Sequence, residues 1–137
     1  FIVSSNKENS ELIKQARFTN LKKNDWVFNK IKTVTRELEL ELKRKPILGF
    51  MGISFKANID DIRESPALKI VQKFYKLDKN IKICDPNINS LNNIPLSPLD
   101  ETINQSDLII ILVAHDIFKN INISHKKVID FCGLLKK

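Results

Sequence analysis

The sequence predicts an α/β fold: an open, largely parallel sheet with helices on both faces, preceded by an all-helical segment. From residue 46 onward, short apolar runs alternate with stretches of helical spacing, which is typical of βαβ units. The run Leu108–Val113 is apolar without interruption, as expected for a parallel strand buried on both faces. With 137 residues, 42% of them hydrophobic, the chain can fill the core of one ordinary domain with an appendage.

Residues 1–45 read as helical throughout, and we place a domain boundary after them, with a second domain at 46–137. One helix is expected from Ser10 to about Lys23, and Asn24-Asp25 offers a break or a new cap before a second helix. The second helix carries an apolar stripe at helical spacing, formed by Val27, Ile31, Val34, Leu38 and Leu42. Nothing else in the segment is large enough to bury this stripe, so we expect it to pack on another domain or a second subunit.

After Pro46 the elements alternate. A strand at 47–51 is followed by a helix at 66–77, which Ser65 caps and Pro66 begins. A short strand at 81–84 ends at Asp85-Pro86, and an irregular connection leads to a short helix at 99–105. Two further strands are expected at 108–113 and 128–131. Ligands of such sheets bind beyond the carboxyl ends of the strands, which is where the 52–65 loop, Asp85 and the His115-Asp116 region all fall.

The connection from Gly52 to Ser65 is unusually long, since loops in α/β units usually have about 2 to 6 residues. It carries Lys56, Asp60, Asp61 and Arg63, a set that can hold a phosphate-bearing ligand and balance its charge. The alternative is a solvated charge cluster with local caps.

Other polar positions leave two interpretations open. Asp85 ends the second strand, where an acid can bind ribose, although Asp-Pro is also an ordinary turn. His115 and Asp116 could form an acid–base pair or simply end a strand, because neighbours on an extended chain point to opposite sides. No Gly-x-Gly-x-x-Gly occurs. Cys84 and Cys132 lack metal-type spacing, so we expect two free, buried thiols, no metal site and a cytoplasmic protein.

Composition argues against several classes of partner. The formal charge is +7, but the lysines are dispersed, with short clusters at 43–45 and at Lys136-Lys137, and aromatic residues do not interleave with them. We therefore expect no nucleic-acid partner. No run has the length of a membrane span, and no signal peptide is visible, so no membrane partner is expected. Phe1 is not a natural start residue, from which we expect the chain to begin inside a longer protein.

The segment FKANIDDIRESPA at 55–67 closely resembles the signature of the C-terminal domain of the UDP-glucose/GDP-mannose dehydrogenase family. Its NIDD wording looks most like the UDP-N-acetyl-D-mannosamine dehydrogenase branch. Further matches follow in order: CDPN at 84–87, VAHDIFK at 113–119 and VID at 128–130. Upstream, ARFTN at 16–20 and WV at 26–27 resemble the helical middle domain.

The resemblance implies a Rossmann-like UDP-sugar-binding domain at 46–137 and a dimer formed through the helical middle domain, to which residues 1–45 would belong. It implies oxidation of the sugar C6 alcohol to a carboxylate with two NAD, through a cysteine thioester, for polysaccharide synthesis. By position, Phe55 and Lys56 match substrate-binding residues and Arg63 matches a residue that reaches NAD. Asp61 would orient Arg63, and Asp60 would cap the loop.

The resemblance also implies what the chain lacks. Phe1-Ile2-Val3 looks like the tail of a stretch just after the catalytic cysteine. The NAD fingerprint, that cysteine and its assisting lysine and asparagine would lie upstream, so NAD would be bound mainly by a missing N-terminal domain and the chain alone is expected to be inactive. Cys132 stands where the family usually has a substrate-binding lysine or arginine. The alternatives are a relative acting on UDP-N-acetylglucosamine, UDP-glucose or GDP-mannose, or a free-standing nucleotide-binding module.

Overall fold

The computed structural model describes residues 7–135, with side chains from Ser10 onward. Phe1-Ile2-Val3 and Lys136-Lys137 therefore lie outside the described residues. In chain order the elements are α1 (Lys7–Leu42), β1 (Leu48–Met51), α2 (Pro66–Leu77), β2 (Lys82–Cys84), α3 (Leu99–Gln105), β3 (Leu108–Ile111), a 3-10 helix (Asp116–Asn120) and β4 (Lys127–Asp130). Apart from α1, each predicted helix and strand is present, and the strands differ from their predicted bounds by one or two residues.

The strands form one parallel sheet in the order β2-β1-β3-β4. Phe50 on β1 is aligned with Ile83 on one side and with Ile110 on the other, and Ile110 is aligned with Ile129 on the edge strand. Every strand therefore ends at the same edge of the sheet. This confirms the predicted α/β class and the predicted parallel pairing.

The two faces of the sheet have separate cores, because successive side chains on a strand point to opposite faces. Phe50 and Ile110 pack with residues of α1 and α2 on one face. Met51 and Ile111 pack on the other face with α3 and with Phe118 of the 3-10 helix. The expectation of helices on both faces is confirmed.

Helix α1 is continuous, so the predicted break at Asn24-Asp25 is wrong. The sequence around these residues contains neither glycine nor proline, and Asn and Asp alone disfavour a helix interior only weakly. Tertiary contacts offset that weak preference. Asp25 pairs with Lys73 of α2 at 3.4 Å, and Trp26 meets the ring of Phe131 edge-on at 5.9 Å between centroids.

The apolar stripe of α1, apart from the exposed Leu42, packs on this chain's own sheet and on α2, so the expectation that another domain or a second subunit would cover it is wrong. Val27, Ile31 and Leu38 are buried in the same core as Phe50. The Phe28 and Phe74 rings lie 4.7 Å apart between centroids. The expectation was wrong because residues 1–45 were considered alone, whereas one face of the sheet supplies the apolar surface that buries the stripe.

Among the described residues, no helix combines the length and the apolar character needed to cross a membrane.

Candidate functional site

The long connection leaves β1 at Gly52, where the backbone needs a conformation that glycine adopts easily. Its φ is +86°, and a Cβ there would lie 2.6 to 2.9 Å from the Cβ, O and N atoms of Val113. The Gly52 N–H donates to the Cys84 carbonyl at 2.9 Å. The segment that follows, residues 53–65, is called the β1–α2 loop below. It starts at the carboxyl edge of the sheet, as predicted.

The β1–α2 loop folds back on itself and is anchored at its far end by Ser65. The Phe55 N–H donates to the Asp61 carbonyl at 2.7 Å, which closes the loop. Ser65 Oγ accepts from the Leu68 N–H at 3.1 Å, which confirms the predicted cap, and donates to the Ile53 carbonyl at 2.6 Å. One hydroxyl therefore joins the start of α2 to the start of the loop.

A buried polar network holds the middle of the loop. The side chains of His115 and Asp85 are both completely buried, and His115 Nε2 lies 3.0 Å from Asp85 Oδ2 and 3.1 Å from Ser54 Oγ. Asp85 Oδ2 also accepts from the backbone N–H groups of Ile53 at 2.8 Å and Ser54 at 3.1 Å. The Asn58 N–H donates to His115 Nδ1 at 2.9 Å. Residues from three separate segments thus fix the loop backbone on either side of Phe55 and Lys56.

The hydrogen bonds of the His115 ring define which of its two nitrogens carries the proton. Because Nδ1 accepts from the Asn58 amide, it carries no proton, and the imidazole is neutral with its proton on Nε2. Ser54 Oγ donates its hydrogen to the Lys56 carbonyl at 2.8 Å, so it accepts a hydrogen bond from His115 Nε2. Nε2–H is therefore shared between Ser54 and Asp85. The network is satisfied only with this tautomer.

These contacts decide the interpretations left open for Asp85 and His115. Asp85 accepts from loop amides and, through Oδ1, from the Asn87 N–H at 2.9 Å, so its buried carboxylate is a turn and loop anchor rather than a ribose ligand. Asp116 is exposed and pairs with Lys119 at 2.6 Å, which lowers the pKa of the Asp116 carboxyl. His115 and Asp116 therefore point apart and form no acid–base pair.

Sequence reasoning missed this network. Its signal was the placement of Ser54, Asp85 and His115 just beyond the carboxyl ends of β1, β2 and β3, which are neighbours in the sheet. Polar side chains that follow adjacent parallel strands converge at one edge. The sequence placed these segments at the same edge, but it did not indicate that their side chains would bond one another.

Phe55 and Lys56 line a cavity of about 380 Å³ between the β1–α2 loop, α1 and the carboxyl edge of the sheet. Phe55 is 46% exposed, and Lys56 Nζ lies 5.9 Å from the centroid of its ring. This cavity is called the edge cavity below. Its other lining residues are Asn20, Lys23, Asn24, Val27, Ser54, Pro66, Ala67, Ile70, Leu112, Val113 and Phe131. The arrangement offers a ring-stacking surface beside a cation, which suits an aromatic or sugar ring attached to an anion.

Arg63 lies outside the edge cavity, on the surface of the loop. Its guanidinium forms a two-pronged ion pair with Asp61, with Nε and the second terminal nitrogen each 3.0 Å from a carboxylate oxygen. The hydrogen bond from Arg63 lowers the pKa of the Asp61 carboxyl. Asp61 thus holds Arg63 in place, while the Arg63 side chain remains 87% exposed. Asp60 is exposed and makes no hydrogen bond to any residue in the described range, so the capping bond expected of it is not found.

Neither cysteine is activated. Both are free, as predicted, but only Cys84 is buried, and the expectation that Cys132 would also be buried is wrong. Burial first, and the nearby Asp85 second, raise the pKa of the Cys84 thiol to about 11. Although Cys132 as a whole is exposed, its sulfur is partly buried near the Ile111 carbonyl, and this partial burial and the charge of Asp130 raise the pKa of the Cys132 thiol to about 11, with Lys23 opposing the shift. At neutral pH both thiols are protonated and weakly nucleophilic.

A second cavity, of about 440 Å³, lies at the opposite edge of the sheet. Its lining includes Arg36, Lys45, Leu48, Phe74 and Asp78. Lys45 and Asp78 are 3.7 Å apart and partly neutralise each other. This cavity lies where the strands begin, whereas ligands of open parallel sheets bind where they end. The edge cavity is therefore the better candidate for a functional site.

Comparison with known families places residues 49–137 on a model described as the UDP-glucose/GDP-mannose dehydrogenase family, UDP binding domain. An NDP-N-acetyl-D-galactosaminuronic acid dehydrogenase of Ralstonia nicotianae is 31% identical over 98% of this chain and 32% of its own length. A UDP-N-acetyl-D-mannosamine dehydrogenase of Campylobacter jejuni is 35% identical over 96% of this chain and 33% of its own length. The chain therefore spans about a third of the length of these relatives.

Solved structures show the same fold. The UDP-N-acetyl-mannosamine dehydrogenase of S. aureus superposes with a TM-score of 0.75 at 25% identity, covering 100% of this chain and 33% of that one. The corresponding enzyme of Pyrococcus horikoshii gives a TM-score of 0.73 at 26% identity, over 98% of this chain and 33% of that one. The match includes α1 as well as the sheet.

Proposed function

Because the chain belongs to the UDP-glucose/GDP-mannose dehydrogenase family, we propose that its edge cavity binds the UDP part of a nucleotide-sugar substrate. The observation that carries this proposal is the pairing of Phe55 and Lys56 on the wall of a cavity at the carboxyl edge of the sheet. None of the residues lining this cavity is acidic. A ligand that combines rings with negative charge fits this lining.

Each side chain has a defined task in this proposal. Phe55 presents an aromatic face that packs against a ring of the ligand, and Lys56 supplies a mobile positive charge for a phosphate. The buried network of His115, Asp85 and Ser54 holds the backbone from which these two side chains project. The loop is thereby arranged for binding before the ligand arrives, which lowers the entropy cost of binding.

The reaction we propose for the complete enzyme is oxidation of the C6 alcohol of UDP-N-acetyl-D-mannosamine to the carboxylate, for polysaccharide synthesis. The NIDD wording at 58–61 and the relatives of that name support this substrate. A relative named NDP-N-acetyl-D-galactosaminuronic acid dehydrogenase also matches, so another nucleotide sugar is the alternative. Turnover of the longer protein on UDP-N-acetylmannosamine, UDP-N-acetylgalactosamine and UDP-glucose separates these substrates: activity on either of the last two without activity on the first would contradict the mannosamine substrate.

NAD is the cofactor we propose, and when bound it would accept the hydride removed from the substrate. The described residues fit only one edge of it: Asp61 engages Nε and one terminal nitrogen of Arg63, and the other terminal nitrogen of this exposed side chain remains to donate to a phosphate oxygen. The long β1–α2 loop has no glycine-rich turn that would cradle a dinucleotide. We therefore assign most of the NAD site, and the nucleophilic cysteine, to residues outside this chain. Since both thiols here are protonated at neutral pH, the chain alone is expected to be inactive.

A free-standing nucleotide-binding module is the second candidate, and one observation favours it. The stripe of α1 is buried within this chain's own core, so the described residues form a self-contained hydrophobic core. A gene encoding a Gly-x-Gly-x-x-Gly fingerprint and the catalytic cysteine upstream of Phe1 would favour the dehydrogenase; the absence of both would favour the module.

Replacing Lys56 with alanine tests the proposed site. Titration of the chain with UDP should show binding, and Lys56→Ala should weaken it about five- to tenfold, the scale of one charge-assisted hydrogen bond partly screened by water. Lys76→Ala is the matched control, because Lys76 is an exposed lysine in the last turn of α2, at the other end of that helix. Equal affinities of the two variants would remove Lys56 from the site.

A further inference from the structure

Helix α1 forms the wall of the edge cavity that faces the β1–α2 loop. Four of the lining residues, Asn20, Lys23, Asn24 and Val27, come from α1. Their spacing of three, four and seven residues places them on one face of a helix. Val27 is buried in the core, which fixes the orientation of this face, so the polar residues one turn earlier are directed along the cavity wall.

Lys23 is the cation of this wall, and its charge is not neutralised within the described part of the chain. It makes no ion pair with any residue there. The nearby carboxylate of Asp25 is engaged instead with Lys73 at 3.4 Å. Lys23 and Lys56 thus contribute two positive charges to the cavity lining from two separate elements, and no lining residue is acidic.

The Lys23 ammonium group also lies near enough to Cys132 to affect its thiol. Its charge lowers the pKa of the Cys132 thiol, against the larger effects of burial and Asp130. Cys132 follows directly after Phe131, which lines the cavity. The ammonium group therefore acts on the side of the cavity formed by the end of β4, as well as on the side formed by α1.

We propose that Lys23 is a second phosphate-binding residue, which binds the β-phosphate of a nucleoside diphosphate while Lys56 binds the α-phosphate. This inference rests on the proposed function, because it assumes that the edge cavity holds UDP. Lysine ammonium groups on flexible stems suit phosphate groups whose orientation varies. Two cations on facing walls match a diphosphate better than a monophosphate, so Lys23 would set the preference of the site for UDP over UMP.

The test compares UDP and UMP binding to the whole chain and its variants. Trp26 is the single tryptophan and contacts Phe131 of the cavity wall, so its fluorescence is a usable readout. Lys23→Ala should weaken UDP binding about five- to tenfold and change UMP binding less than about twofold. Lys23→Arg should retain the UDP preference. Lys30→Ala is the matched control, because Lys30 is an exposed lysine of the same helix that does not line the cavity.

Three outcomes would overturn the inference. If Lys23→Ala binds UDP as tightly as Lys30→Ala does, Lys23 makes no phosphate contact. If UDP and UMP lose affinity equally, Lys23 only supports the structure of the wall. If the parent chain binds neither nucleotide, the proposed function fails, and the inference fails with it. A selective loss of UDP affinity that Lys23→Arg restores would support it.

Discussion

Replacing His115 with alanine is expected to lower the free energy of unfolding by about 3 to 5 kcal/mol, the range for losing a large buried side chain together with its hydrogen bonds. The change leaves the Asn58 N–H without its acceptor and removes the donor shared by Ser54 and Asp85. It also empties the space beside Phe118, whose ring meets the imidazole edge-on at 5.4 Å. Urea unfolding followed by circular dichroism measures the loss.

The chain's other histidine provides the control. His125 is exposed, so His125→Ala should change the free energy of unfolding by less than about 0.5 kcal/mol. If the two variants unfold at the same urea concentration, the buried network does not hold the loop. A variant of His115 that still folds should also bind UDP more weakly, because Asn58 and Ser54 flank the Phe55 and Lys56 positions.

Replacing Ile31 with alanine is expected to cost about 2 to 5 kcal/mol of unfolding free energy, as for other fully buried aliphatic residues. Ile31 is 0% exposed and belongs to the core shared by α1, α2 and the sheet. Alanine is a better helix former than isoleucine, so the loss would come from packing and not from helix propensity. Equilibrium unfolding in urea gives the difference.

Leu40 lies on the same helix and provides the matched comparison. It is 74% exposed, so Leu40→Ala removes three carbons from α1 without opening a cavity and should be nearly neutral. A loss at Ile31 no larger than that at Leu40 would mean that α1 does not pack on this sheet. The earlier expectation of a missing partner for the stripe would then be restored.

The sequence predicted those elements whose signals are local. Ser65 and Pro66 marked the start of α2, and the structure has both the cap and the helix there. The uninterrupted apolar run after Asp107 marked the central strand β3. These signals operate over a few residues, so periodicity and capping chemistry are enough to read them.

What the sequence did not reveal depends on contacts between residues far apart in the chain. His115 joins Asp85 across 30 positions and Ser54 across 61. Nothing local distinguishes such a histidine from one that ends a strand in solvent. The stripe on α1 was misassigned for the same reason, because the surface that buries it is built from residues 48 to 110. The false break at Asn24 came from trusting weak propensities over tertiary contacts.

The assignment of the edge cavity as a UDP site is tested most directly by backbone amide chemical shifts of the whole chain during titration with UDP. If UDP binds there, the largest shifts fall on residues 54–56 of the loop and on Asn20, Lys23 and Asn24 of α1, which line that cavity. Shifts concentrated instead on the cavity at the opposite edge, around Lys45 and Leu48, would contradict it.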